Sequence, residues 1–470
     1  MEQELRAGPL RCKFADGELR YIKLGDTELV RRVFVGVRTK TWDTLTPKLT
    51  QCDITRTNDS FRIALTALCE RGVGAAGYDS DGGFSWSGTI EGKRDGTILF
   101  TVTGAPTRDF ETNRIGISVL FGTPTVCGQK YDVVGKDGTT RTGSFPKFVN
   151  APLMFEPEFS ELRYGNVRVS LSGEGIFSME DQRNFADASF KAYGVFPFSY
   201  PNLKKGEEHT QAVTIKPEGF LQAIKQQPSD KTLLTVGDFV PSRTFPEIRT
   251  GSTGERNWFH AINHDREKAR AAESISFAYF PTEHNYDDDT CWENVPVIVE
   301  LAESARQFAP GKPIDIHHIA LTLTHPRPTP EPRNASPMGA AWAVVCLKYA
   351  ALAGVRSATF DMGLGYANRV LKTLQPFVGK PVRSVAVTSG ALTAPLEAFG
   401  LGESMIVVNK TGVRQQAMLE QLPAGKWEAL ELHGQTPAGM LPGNTAVRVS
   451  GGKTNLNLAP YEVRILTPKK

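Results

Sequence analysis

Glu180, Asp181, Gln182, Arg183, Asn184, Asp187 and Lys191 crowd into one short run, MEDQRNFADASFKAY from Met179 to Tyr193, interleaved with Phe185, Phe190 and Tyr193. A solvated loop does not hold so many aromatics, and a core element does not tolerate so many charges without partners. Such a run suits the wall of a polar pocket whose donors and acceptors fit a small polyhydroxylated or carboxylated molecule. Glu180 and Asp187 are candidate proton acceptors, and Asp181, Gln182, Arg183, Asn184 and Lys191 candidate substrate-binding groups. The alternative is a buried salt-bridge network bridging two domains.

A second set lies at His284, Asp287 and Asp288, just after the apolar strand-like run from Ser274 to Phe280. Barrel-type and doubly wound enzymes place their sites at the carboxyl ends of such strands. A histidine three residues from a carboxylate can be an oriented general base, because the carboxylate fixes the tautomer and supports the imidazolium. His284 and Asp287 are therefore candidate catalytic residues. The competing reading is that Asp287, Asp288 and Asp289 precede and cap the following helix, favoured by its dipole. Asp361 ends another strand-like run ahead of Gly363 and Gly365 and is a candidate binding residue or a turn aspartate.

Other histidines argue against a metal. His260 and His264 stand at i and i+4 without the glutamate of a zinc-protease helix. His317 and His318 are adjacent on a strand and point to opposite faces, so at most one faces a pocket. A set drawn from His284, His264 and Asp287 is the one three-ligand combination worth naming, and no metal is expected. No GxGxxG, GxxxxGK[ST] or GxSxG pattern occurs in a usable context, so no cofactor is expected either.

The elements that must position these residues fall into three parts. Up to about Phe220, short alternating runs are separated by Asp16-Gly17, Asp81-Gly82, Asp95-Gly96 and Asp137-Gly138, the strongest short-range hairpin signal. From Lys231, strand-like runs (Thr232 to Val236, Ser274 to Phe280, Ile314 to Thr324, Arg356 to Phe360, Arg383 to Thr388) alternate with helical stretches (Asn294 to Phe308, Gly339 to Ala353, Ala367 to Phe377). That rhythm predicts a parallel sheet with covering helices. Asp289 or Thr290 is placed to cap the first helix, and Gly354 to end the second. From Met405 the pattern is β again. The fold class is multidomain α and β: an N-terminal antiparallel β-sandwich over residues 1–225, a shortened TIM-barrel-like β/α domain over 226–400 and a small C-terminal β-sandwich over 401–470.

The MEDQRNFADASFKAY block resembles one that precedes the barrel domain in the D-apionate lactonase family, enzymes that open the lactone of a branched-chain sugar acid. NRIGISVL (Asn113 to Leu120), GDFVP (Gly237 to Pro241) and FAYFPTEHNYDD (Phe277 to Asp288) with Glu293 continue the resemblance in family order. It implies a lactonase with a barrel domain. Phe259 to His264 looks like a further family block and adds Asn263 and His264 as candidate substrate-binding residues. This chain departs there: Ala261 stands where the family has glutamate, His264 where it has arginine, and Phe121 where it has histidine. Asp361 corresponds best to a strand-end glutamate. A methyl group cannot replace a carboxylate in proton transfer. The barrel also looks short, since a complete one takes about 250 residues, and Gly237 and Phe259 are only 22 positions apart.

The chain has 470 residues, 54 Lys and Arg against 51 Asp and Glu, and 22% charged residues. Near-neutral charge without basic runs argues against nucleic acid and anionic membrane as partners. The charged start MEQELRAGPLRCKF does not read as a signal peptide, and cytoplasm is expected. Cys12, Cys52, Cys69, Cys127, Cys291 and Cys346 lack CxxC spacing and read as reduced packing thiols. The expected function is hydrolysis of a small sugar-acid lactone; the alternatives are a glycoside hydrolase-like enzyme and a non-catalytic sugar-binding or assembly protein with a degenerate barrel.

A shortened parallel sheet leaves edges that must be covered, so a homo-oligomer is expected. Light scattering at micromolar concentration checks this; a clean monomer mass would sink it.

Overall fold

Three of the four Asp-Gly pairs turn the chain. Asp16 (φ 47°) and Gly17 (φ 89°) join the strands Leu10–Ala15 and Glu18–Leu24. Their paired positive φ is the backbone that a two-residue hairpin of the proper twist requires. Gly96 (φ 87°) and Gly138 (φ 80°) serve the turns after Asp79–Gly92 and Lys130–Gly135. Asp81-Gly82, expected as a turn, instead lies inside the strand Asp79–Gly92, where Asp81 stands opposite Arg71. Between the pairs Cys69–Phe84 and Arg71–Asp81, Gly82 and Gly83 stand opposite the single residue Glu70, so the Asp-Gly site is a bulge in its own strand and the ladder continues through.

The structure is a computed structural model that describes residues 2–40, 42, 44–73, 79–196, 202–219, 232–251, 257–321, 331–363, 365–434 and 445–469. Over these residues it forms two compact units, one of Met1–Gln182 and Ala188–Gln226, the other of Arg183–Asp187, Gln227–Leu323 and Thr329–Lys470. The first is all antiparallel: 17 strands form one connected sheet system. Phe110–Gly122 pairs with both Thr27–Thr39 and Ser189–Val195. Alternation buries Val33, Val35, Val37, Ile115, Ile117 and Val119 in one continuous core. Phe121 is fully buried there, 6.0 Å from Phe145 and 5.6 Å from Tyr164 between ring centres.

The second unit holds a four-stranded parallel sheet, ordered Glu247–Thr250, Ser357–Phe360, Ile314–Ile319, Ile275–Tyr279. Its inner strands are buried almost continuously, as a sheet covered on both faces must be. The edge strand Ile275–Tyr279 meets a single parallel bridge, Trp258 to Ala278. Thr232–Val236 and Arg383–Thr388, expected in this sheet, pair antiparallel with each other inside a nine-stranded sheet that also takes the C-terminal strands. Their residues alternate between buried and exposed, a pattern that suits a sheet with one wet face.

The helix Val297–Phe308 begins later than expected because Asp288–Glu293 forms a separate short helix and Pro296 opens the next. The cap of that short helix is Asp287, not Asp289 or Thr290; its side chain accepts from the backbone N–H of Thr290 at 2.9 Å. Pro337–Ala353 is buried on nearly all sides; Ser336 caps it at Gly339 N (3.2 Å), and Gly354 ends it in the left-handed region. No described helix is long and apolar enough to cross a membrane.

Because Ser336 satisfies an otherwise orphaned N–H at the start of this core helix, Ser336→Ala should lower stability by about 1 kcal/mol in urea denaturation.

Candidate active site

The turn Gln182–Phe185 and the two residues after it split the polar block between the two units. In the second unit, Arg183 to Asp187 each find a defined environment. Asp187, 6% exposed, accepts from Nδ1 of His284 through Oδ2 and from Nδ2 of Asn294 through Oδ1 at 2.8 Å. The same Asn294 nitrogen donates to the carbonyl of Pro281 at 2.8 Å, which fixes its direction. His284 follows the strand Ile275–Tyr279 at its carboxyl end, where Thr282 donates to the Leu321 carbonyl at 2.5 Å. Ala186 sits at φ 67°, so the turn carries backbone strain directly beside Asp187.

Asn184 and Asn263, both fully buried, join through Nδ2 of Asn263 to Oδ1 of Asn184 at 2.9 Å. Oδ1 of Asn263 accepts from Arg266 at 2.7 Å. Phe185 stands edge-on to His284 at 5.6 Å and stacks on His260 at 5.2 Å. His260 in turn stacks on His264, which is exposed. Burial, with the neighbouring His264, holds the His260 imidazole below its ordinary pKa. Arg183 is wholly buried, and its Nη1 lies 3.0 Å from Oε2 of Glu300. It thus binds the helix Val297–Phe308 within the protein.

On the ring nitrogen where sequence spacing suggested Asp287, the structure places Asp187. Asp287 accepts from Thr290 N and Oγ1, the capping role weighed against catalysis. Asp361 follows the strand Ser357–Phe360 and lies 3.5 Å from Nε2 of the buried His318. His317 contacts Ser276 at 2.8 Å and is the extra residue of a bulge, since Ile316 stands opposite Phe277 and His318 opposite Ala278. Ala261 is exposed. Among the described residues no three His, Cys, Asp or Glu side chains gather as a metal-ligand set.

Glu180, Asp181, Gln182 and Lys191 belong to the first unit. Glu180 pairs with Arg114 at 2.6 Å and accepts from Gln182 at 3.0 Å. Asp181 accepts from the backbone N–H of Asn150 at 2.9 Å, and the Lys191 ammonium lies 4.5 Å from the Tyr193 ring centre. Sequence reasoning missed Asn294, Glu300 and His260 as site residues. Nothing in the Trp-Glu-Asn-Val-Pro context of Asn294 signals its role, which depends on two residues 13 and 107 positions away.

A strand-rich N-terminal unit followed in the chain by a unit with a parallel sheet and helices is the class these features define. The N-terminal domain model of D-apionate lactonase matches residues 1–219 and the TIM barrel domain model of the same family matches 209–389. The chain belongs to the D-apionate lactonase family. The D-apionate lactonase of Brucella anthropi is 31% identical over 204 residues, covering 42% of this chain and 32% of the relative. The chain thus spans about a third of the length of the curated relative it matches. Among solved structures, a 4-O-α-L-rhamnosyl-β-D-glucuronidase from Fusarium oxysporum 12S shares 12% identity over 46% of this chain and 58% of its own, at a TM-score of 0.35. The endoglucanase Cel44A of Clostridium thermocellum shares 11% identity over 45% and 50%, at 0.33. Likeness at those scores is too slight to bear on chemistry.

Removing a buried partner leaves an uncompensated charge. Arg183→Ala should therefore cost about 3–5 kcal/mol of stability, read as a lowered denaturation midpoint; an unchanged midpoint would show that Glu300 does not depend on it.

Proposed function

We propose that this protein is a hydrolase that opens a small sugar-acid lactone by attack of water. The observation that carries the reading is the hydrogen bond from Nδ1 of His284 to the buried carboxylate of Asp187, at the carboxyl end of a parallel strand. Membership in the D-apionate lactonase family supports it and makes the lactone of D-apionate the first substrate to test.

Asp187 accepts the hydrogen on Nδ1 and leaves Nε2 as the basic nitrogen of the ring. Nε2 takes a proton from water as the water oxygen bonds to the lactone carbonyl carbon. When the tetrahedral intermediate collapses, the bond to the ring oxygen breaks and the imidazolium returns the proton to that oxygen. The product is the open hydroxy acid, whose new carboxyl group releases its proton to solvent. Asn294 keeps the second oxygen of Asp187 occupied, so the carboxylate cannot rotate away from the ring. Phe185 walls one edge of the imidazole and limits where it can tilt.

General acid–base groups contribute about 10²–10⁴-fold to a rate. In a pH-stat assay of lactone opening, His284→Gln and Asp187→Asn should each lose activity on that scale. The wild type should lose activity on the acid side as the imidazole protonates, and His284→Gln should lack that limb. Full activity in His284→Gln, or cleavage of aryl glycosides with the lactone inert, would sink the proposal.

A further inference from the structure

A second polar constellation lies wholly within the first unit and has no part in the His284 chemistry. The strands Thr27–Thr39, Phe110–Gly122, Ser189–Val195 and Ile176–Asp181 are neighbours, with Arg38 opposite Arg114, Tyr193 opposite Ser118 and Glu180 opposite Lys191. Period-two alternation puts Arg114, Ser118, Tyr193, Lys191 and Glu180 on one sheet face. The Arg114 guanidinium carbon lies 4.7 Å from the Tyr193 ring centre and 5.1 Å from that of Trp42. Two aromatic rings therefore fix its position and orientation.

Only Nη1 of that guanidinium is engaged, at 2.6 Å from Oε1 of Glu180; among the described residues Nε and Nη2 donate to no protein acceptor. These two make up the edge that holds a carboxylate in parallel hydrogen bonds. The Arg114 side chain is 25% exposed and Trp42 50% exposed, so the edge is open to a ligand. Trp42 holds a left-handed backbone at φ 71°, tied by its N–H to Thr39 O at 3.0 Å and by its carbonyl to Arg38 at 3.2 Å. A large exposed side chain kept in a strained conformation by dedicated contacts marks a functional position. Gln182, bonded to Glu180 through Nε2, has a buried Oε1 with no hydrogen-bond partner, and the buried Ser118 hydroxyl likewise has none.

We propose that this face binds a sugar acid. The Nε/Nη2 edge of Arg114 grips the carboxylate, and the exposed indole of Trp42 lies against the sugar ring. The site does not depend on the dyad, so its success or failure is separable from that of the lactonase reading.

The test is calorimetric titration of the protein with D-glucuronate and with the neutral methyl β-D-glucopyranoside, neither of which is a lactone. Saturable binding of glucuronate, and weaker binding of the glucoside, is expected. Trp42→Ala, which changes an exposed side chain, and Arg114→Gln should each weaken glucuronate by about tenfold or more. Arg114→Lys, which keeps the charge and loses the fork, should not restore affinity. Absence of saturable binding, unchanged affinity in both Trp42→Ala and Arg114→Gln, or equal affinity for the neutral glucoside overturns the proposal.

Discussion

A carboxylate taken out of water is costly unless every lone pair has a donor, and Asp187 imposes that constraint on the second unit. Its two oxygens fix His284 after one strand and Asn294 at the end of a short helix. The four residues before it extend the same logic. Arg183 binds Glu300 in the helix Val297–Phe308, Asn184 binds Asn263, and Phe185 stacks on His260 in the helix Phe259–His264. One five-residue turn thus anchors four separate parts of its unit. Its strained Ala186 is the conformational cost, held because the surrounding bonds over-determine it.

The departures from the family become intelligible position by position. Phe121 packs in a ring cluster with Phe145 and Tyr164, so that position contributes packing to the first unit's core. Ala261 is exposed two residues before the buried Asn263, and His264 is exposed and stacked on His260. At the carboxyl ends of the parallel strands stand two histidine–carboxylate pairs, His284 with Asp187 and His318 with Asp361. A histidine needs an oriented partner to act at neutral pH, and His284 has one from the MEDQRNFADASFKAY block.

Much of this architecture was legible in the sequence because it depends on local chemistry. Three Asp-Gly pairs read correctly as turns, and Asp81-Gly82 was misread because the same glycine-rich backbone freedom serves a bulge inside a strand, and only the pairing partner decides between the two. Gly354 was legible as the end of the helix Pro337–Ala353 from its backbone preference alone, whereas the cap Ser336 came only from the structure. The density of charge and aromatic residues between Met179 and Tyr193 marked a polar site, since such composition is tolerated only where each charge has a partner.

What the tertiary structure decided was the pairing. Spacing placed Asp287 nearest His284, yet the carboxylate on the ring nitrogen comes from 97 positions away. Alternation in Thr232–Val236 showed a strand but not its neighbours, because a parallel and an antiparallel ladder can present the same run of residues. Likewise the block from Met179 to Tyr193 reads as one site in sequence but is divided between two polar networks by a single turn. Residue types fix which groups must be satisfied; which partner satisfies each is set by long-range packing.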